Sequence, residues 1–223
     1  MVSSSSSRSL ALEVSAHTFY CDAILFDMDG TLVDSTACVE QTWRRWTDRH
    51  GLDFDALMRV AHGRQNHETI GIIAPHLYTP EEVAFLVEAE EACREGIVAV
   101  RGARALIEAL PPDRWAVVTS AWRKLAEIRL TCAGLPIPSV LITADEVTRS
   151  KPNPDGYLAA AARLGVDPSA CLVIEDAHAG IDAARAAGMP VIGITTTFSR
   201  EQLGCEWCVE DFSGMRVRVE KRA

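Results

Sequence analysis

Five short apolar runs recur along the chain, at residues 23–26, 115–118, 140–142, 172–174 and 191–194, each giving way to a polar or glycine-containing turn. Runs this short, apolar at every position and rich in β-branched residues, predict strands buried on both faces. Between them, residues 104–110, 124–133, 155–164 and 179–187 have helical composition, and Gly165 and Gly188 stand where helix C-caps belong. Strands alternating with helices predict an α/β fold, a parallel sheet flanked by helices on both faces. Residues 208–209 add a last short strand.

Residues 35–100 break this rhythm. Trp43, Trp46 and the apolar positions around Leu57 and Val60 predict one helical pair, and residues 81–93, entered through Pro80 at a first-turn position, predict another helix. The aromatic and leucine stripes read as the core of this insert, which is placed to act as a lid over the strand ends. Residues 1–18 open with serines at 3–7, and their apolar stretch at 10–14 carries Glu13 and is too short for a signal sequence or a membrane span. The expected division is a flexible tail at 1–18, an α/β core at 19–34 and 101–223, and a helical cap domain at 35–100.

Composition narrows the function. A hydrophobic share of 48% fills a substantial core. A net charge of −9 argues against a nucleic-acid surface, which needs clustered Lys and Arg. It leaves room for a small phosphorylated substrate, because a bound cation and a few basic groups set a site's local potential. The seven cysteines are scattered, and a disulfide framework is unusual in a chain of this length without a secretory signal. Cys205 and Cys208 have no second pair or histidine at metal-site spacing, so they read as ordinary thiols. The expected protein is cytoplasmic, with no membrane partner. Sequence gives no oligomeric state, and a monomer is the working expectation.

The chemistry gathers at strand ends. The first run closes in Asp27-Met28-Asp29-Gly30-Thr31, and side chains two apart on a strand share a face. Asp27 and Asp29 therefore emerge together at a C-terminal strand end, where open α/β sheets bind ligands. Two carboxylates so close repel unless a cation or a proton intervenes, and an oxygen-rich site suits Mg²⁺. A second run ends in Thr119-Ser120, which alone reads as a helix cap. Lys151 stands before Pro152 and Pro154 at a predicted helix start, an electropositive place. A fourth run ends in Glu175-Asp176. His178 reads as a helix-start residue.

In this order the four motifs resemble the haloacid-dehalogenase-like (HAD) superfamily, whose first motif is D-x-D-G-T-L-x-D-S. The similarity spans nearly all of residues 20–212 and is nearest to the sugar-phosphate phosphatases, including those acting on 2-deoxyglucose 6-phosphate and glycerol phosphate. The resemblance implies a Rossmann-like parallel sheet with an inserted cap. Asp27 is then a nucleophile forming an aspartyl-phosphate, and Asp29 a general acid/base. Thr119 or Ser120, with Lys151, holds the phosphoryl oxygens. Mg²⁺ is held by Asp27, the main-chain carbonyl of Asp29 and Asp176, with Glu175 ligating directly or through water. Arg64, in a cap stretch similar to that group's, reaches toward the substrate or is a solvated surface charge. The implied function is a Mg²⁺-dependent phosphatase of small sugar or polyol phosphates. Mutases of the β-phosphoglucomutase type carry a histidine where this chain has Val39, which lowers that alternative, and intact Asp27, Asp29, Lys151 and Asp176 speak against a non-catalytic phosphosugar-binding protein.

Overall fold

The computed structural model describes residues 8–221. Its first elements are strands where the sequence reading expects a tail. β1 (Arg8–Val14) turns through Ser15, at a φ of +54°, into β2 (His17–Cys21). The tail expectation is thus corrected for residues 8–18, while the serine run at 3–7 lies outside the described residues. Leu10, Leu12 and Val14 point alternately into the main core and are at most 5% exposed. Their second partner is the last strand among the described residues, with Leu12 opposite Val217 and Val14 opposite Met215. A strand whose partner lies some two hundred residues away leaves little local trace.

β3 (Ala23–Phe26) is buried at all four positions and runs into a tight turn and β4 (Val33–Asp34). A helical lobe follows: α1 (Thr36–His50), α2 (Phe54–Ala61), α3 (Asn66–Ile73) and α4 (Pro80–Ala92). The lobe has its own core of Trp43, Trp46, Leu57, Ala61, Ile70, Ala74 and Leu86. Pro80 opens α4, and the Thr79 hydroxyl caps it by accepting from the Glu82 amide at 3.3 Å. β5 (Val98–Ala99) returns antiparallel to β4, so the lobe enters and leaves the sheet side by side. A disulfide between Cys38 and Cys93, Cα atoms 5.7 Å apart, ties the first turn of α1 to the residue after α4. The sequence reading does not anticipate this bond, because the two cysteines are 55 residues apart.

The chain then alternates as expected: α5 (Ala103–Ala109), β6 (Trp115–Val118), α6 (Arg123–Cys132), β7 (Leu141–Ile142), α7 (Asp155–Leu164), β8 (Cys171–Glu175), α8 (His178–Ala186), β9 (Val191–Ile194), α9 (Arg200–Leu203), β10 (Cys208–Val209) and β11 (Met215–Lys221). Six strands form a parallel sheet in the order β10-β9-β8-β3-β6-β7. This is the Rossmann-like α/β architecture. Successive residues of one strand serve opposite cores. Ile24 and Phe26 join the cluster that also packs against β1, whereas Ala23 and Leu25 join the one beneath Tyr157, Ala160 and Ala161 of α7. The apolar runs have no polar alternate positions because both faces are covered. No helix among the described residues is long and apolar enough to cross a membrane.

Candidate active site

The two central strands, β3 and β8, are paired neighbours, so the acids that end them arrive together. The Asp27 amide donates to the Ile174 carbonyl at 3.0 Å, extending the ladder one residue beyond β3. This carries the Asp27 carboxylate to Glu175 and Asp176, and the three present oxygens within 4.8 Å of one another, all buried. Gly30 makes the approach possible: its φ is +82°, and a Cβ there would lie 2.1 Å from Asp176 Oδ2.

Lys151 is the cation of this cluster. Its Nζ donates to Asp27 Oδ1 at 2.5 Å, to Glu175 Oε1 at 2.7 Å and to the Val118 carbonyl at 3.0 Å. It follows β7 and precedes α7, and its peptide bond to Pro152 is cis. Glu175 is fully engaged: Oε1 also accepts from the Tyr157 hydroxyl at 3.0 Å, and Oε2 accepts from the amides of Asp176 and Ala177 at 2.9 and 3.0 Å. Asp176 accepts from the hydroxyls of Thr31 and Thr197.

One ammonium beside three buried carboxylates leaves excess negative charge. Burial pushes the Asp27 carboxyl up to about 7; Lys151 pulls it down, and Glu175 pushes it up again. Burial, then Glu175 and Asp27, hold Asp176 well above the usual carboxylate range. Burial acts against the charge of Lys151, but Asp27 and Glu175 outweigh it and hold the ammonium charged. Carboxyls that keep protons for want of positive charge are the groups a divalent cation replaces protons on. The donor set is all oxygen, as hard cations require, so a Mg²⁺-sized ion fits this chemistry.

A cavity of about 370 Å³ opens above the cluster. Asp27, Asp29, Thr119, Ser120 and Asp176 line it from the sheet, and Val39, Arg64, Asn66 and Glu90 line it from the lobe. Thr119 is buried, and its Oγ1 accepts from the Ala121 amide at 3.0 Å. The Ser120 hydroxyl is spent on the Gly63 carbonyl of the lobe at 2.9 Å, so the two hydroxyls differ in task. Arg64, between α2 and α3, is half-buried, and its Nη1 donates to the Val60 carbonyl at 3.2 Å. His178 opens α8 and is exposed. Cys205 and Cys208 are free thiols.

Residues 21–188 match the model of the haloacid dehalogenase-like hydrolase family. The chain belongs to that family. This HAD-like hydrolase is 41% identical over 181 residues to hexitol phosphatase A of Escherichia coli, covering 78% of this chain and 83% of the relative. It is 36% identical over 212 residues to glycerol-1-phosphate phosphohydrolase 2 of Saccharomyces cerevisiae, covering 88% and 84%. It is 30% identical over 226 residues to 2-deoxyglucose-6-phosphate phosphatase 2 of the same yeast, covering 89% and 91%. Among solved structures it resembles a hydrolase from Pseudomonas syringae, with a TM-score of 0.76, 28% identity, and 85% and 94% of the two chains covered.

The HAD-like hydrolase also places residues in its site that sequence reasoning passed over. Asp29 Oδ1 accepts from the Ser35 hydroxyl at 2.6 Å, and Oδ2 accepts from Arg129 Nη1 at 2.7 Å. Ser35 was visible as the last residue of the first motif. Arg129 and Glu90 stand among other charges in their helices, with no spacing to single them out.

Proposed function

We propose that this protein is a Mg²⁺-dependent phosphatase of small sugar or polyol phosphates, acting through an aspartyl-phosphate on Asp27. One observation carries the reading: Asp27, bonded to Lys151, and Asp29 share the floor of the cavity with Thr119 and Asp176. The names of the phosphatase relatives support the substrate class. Residues 35–100 act as the cap. Asp27, Asp176 and the Asp29 carbonyl would hold a Mg²⁺, which when bound would supply charge neutralisation at the phosphoryl oxygens. Glu175, with every lone-pair direction already engaged, orients Lys151 and the Asp176 backbone.

Asp27 attacks phosphorus, forming the Asp27 O–P bond as the bond from phosphorus to the sugar oxygen breaks. The leaving oxygen takes a proton from Asp29. Water then attacks phosphorus and gives its proton to Asp29, the Asp27 O–P bond breaks, and inorganic phosphate leaves. Lys151 and Thr119 hold phosphoryl oxygens, so catalysis is largely positioning and electrostatics. The lobe excludes water and reads the sugar, Arg64 from its α2–α3 turn. The proposed compartment is the cytoplasm.

The test is a phosphate-release screen over hexose, pentose and polyol phosphates, with and without a chelator. Asp27→Asn is expected to fold and to lose turnover, because an amide cannot form the acyl-phosphate. A folded Asp27→Asn protein with near-normal release overturns the mechanism. An isomerised phosphosugar in place of free phosphate assigns the mutase reading, against which Val39 in the cavity wall argues.

A further inference from the structure

Arg129 lies on α6, outside the four motifs, with its side chain buried. Besides Nη1 on Asp29, its Nη2 donates to Glu90 Oε1 at 3.1 Å. Glu90 is on α4, the last helix of the lobe, and is itself buried. Its other oxygen accepts from Asn66 Nδ2 at 2.6 Å, and Asn66 opens α3 two residues after Arg64. A chain of charged hydrogen bonds thus runs from Asp29 through Arg129 to Glu90 and Asn66, crossing the seam between sheet and lobe. All four residues line the cavity.

As a stabilising device this arrangement is poor. Two charged groups, Arg129 and Glu90, are taken out of water and Asp29 is partly so, and among the described residues Arg129 Nε is buried with no hydrogen-bond partner. Buried ion networks are often no better for stability than apolar residues of the same shape. What the arrangement does achieve is geometry. A guanidinium fork bonded to carboxylates at both ends has a fixed plane, which lysine cannot reproduce. One of those ends belongs to the element that covers the cavity.

We propose that Arg129 is a positioning residue for Asp29, and that Glu90 makes this positioning conditional on the lobe being seated. With the lobe seated, Arg129 is stretched between Glu90 and Asp29 and fixes the direction of the Asp29 carboxyl. With the lobe lifted, Glu90 leaves, and Arg129 loses one of its two anchors. Closure over a substrate therefore also completes the acid/base group. This inference rests on the role given to Asp29 above.

The experiment compares Arg129→Met, Arg129→Lys, Glu90→Gln and Asp29→Asn in the whole protein. The substrates are the alkyl phosphate of highest kcat/KM in the screen and p-nitrophenyl phosphate. Its nitrophenolate departs without a proton donor, so the first-turnover burst does not need Asp29, whereas alkyl leaving groups do. Arg129→Met is expected to lower kcat on the alkyl phosphate about 10- to 100-fold, less than the roughly 10²- to 10⁴-fold worth of a full acid/base group, with KM nearly unchanged. Its nitrophenolate burst is expected to survive. Arg129→Lys should recover part of the loss, Glu90→Gln should show a smaller loss of the same kind, and Arg129→Met should add nothing to Asp29→Asn. Calorimetry of the metal-free proteins is expected to leave Tm within a few degrees of the parent.

Equal losses of burst and alkyl turnover accompanied by a lowered Tm make Arg129 merely structural and overturn the proposal. So do wild-type kinetics in Arg129→Met, or losses that multiply with Asp29→Asn. If Arg129→Met does not fold, Arg129→Lys and Glu90→Gln decide by the same pattern. Wild-type turnover in Asp29→Asn removes the acid/base reading itself, an outcome separate from a silent Arg129.

Discussion

Gly180 sits in the first turn of α8, and a Cβ built there would lie 1.5 Å from Glu175 Oε1. Alanine in a helix ordinarily improves on glycine by roughly 1 kcal/mol. Here it must push aside a carboxylate that holds Lys151, Tyr157 and two amides. Gly180→Ala is therefore expected to cost about 1–3 kcal/mol by overpacking and to reduce turnover sharply. Gly71→Ala in α3, with nothing within 4 Å, is the control and should be neutral or slightly stabilising. Thermal unfolding and phosphate release on the two variants check this. Arg64 can be tested by substrate choice. Arg64→Ala is expected to lose about 10- to 100-fold on a sugar phosphate, the worth of a desolvated charged hydrogen bond, and little on an aryl phosphate. Equal losses would move Arg64 to the phosphoryl group, and no loss would return it to the surface. Asp27 supplies a pH dependence. Its carboxyl stands at about 7 against an ordinary 3.8, so without metal its contribution to stability is complete below pH 4 and is lost as pH rises through 7. Metal ligation needs the ionised form, so the rise in Tm on adding Mg²⁺ should grow from pH 5 to pH 8. A constant or shrinking rise contradicts this.

At the scale of elements, what could be read in advance was what is buried on both faces. The strands at 23–26, 115–118 and 191–194 stand where the apolar runs predict them. α7 ends at Leu164 before Gly165 in the left-handed conformation, as the cap signal requires. α3 was not read, because it is two short turns with no clear apolar stripe, burying only Thr69 and Ile70, behind a capping box of Gln65 and Glu68. β1 and β11 were missed for a different reason: β11 is covered on one face only, and β1 owes its burial to partners that include this distant strand. Leu12→Ala tests this. At full burial it should cost about 2–5 kcal/mol, like any core leucine, whereas in a flexible tail it would cost nothing. Chemical denaturation distinguishes the two.

At the scale of the molecule, the motif acids and Lys151 were found from sequence because each closes a strand or opens a helix, and topology brings such ends to one edge. Arg129 and Glu90 were not, since their meeting depends on how the lobe leans on α6, which no local pattern encodes. The disulfide belongs with them: Cys38 and Cys93 meet only because β4 and β5 bring the two ends of the lobe together.

The pairing of Arg8–Val14 with Met215–Lys221 sets an order of assembly. During synthesis the hairpin of β1 and β2 emerges some two hundred residues before its outer partner β11. Until then Leu10, Leu12 and Val14 have an open edge beside them, and an unpaired strand edge invites other chains. The closing contact spans some two hundred residues, a type of contact that forms slowly. The vulnerable species on the way to this fold is therefore an otherwise finished α/β core with its first hairpin unsealed, and a chain stalled just short of residue 215 would linger in that state.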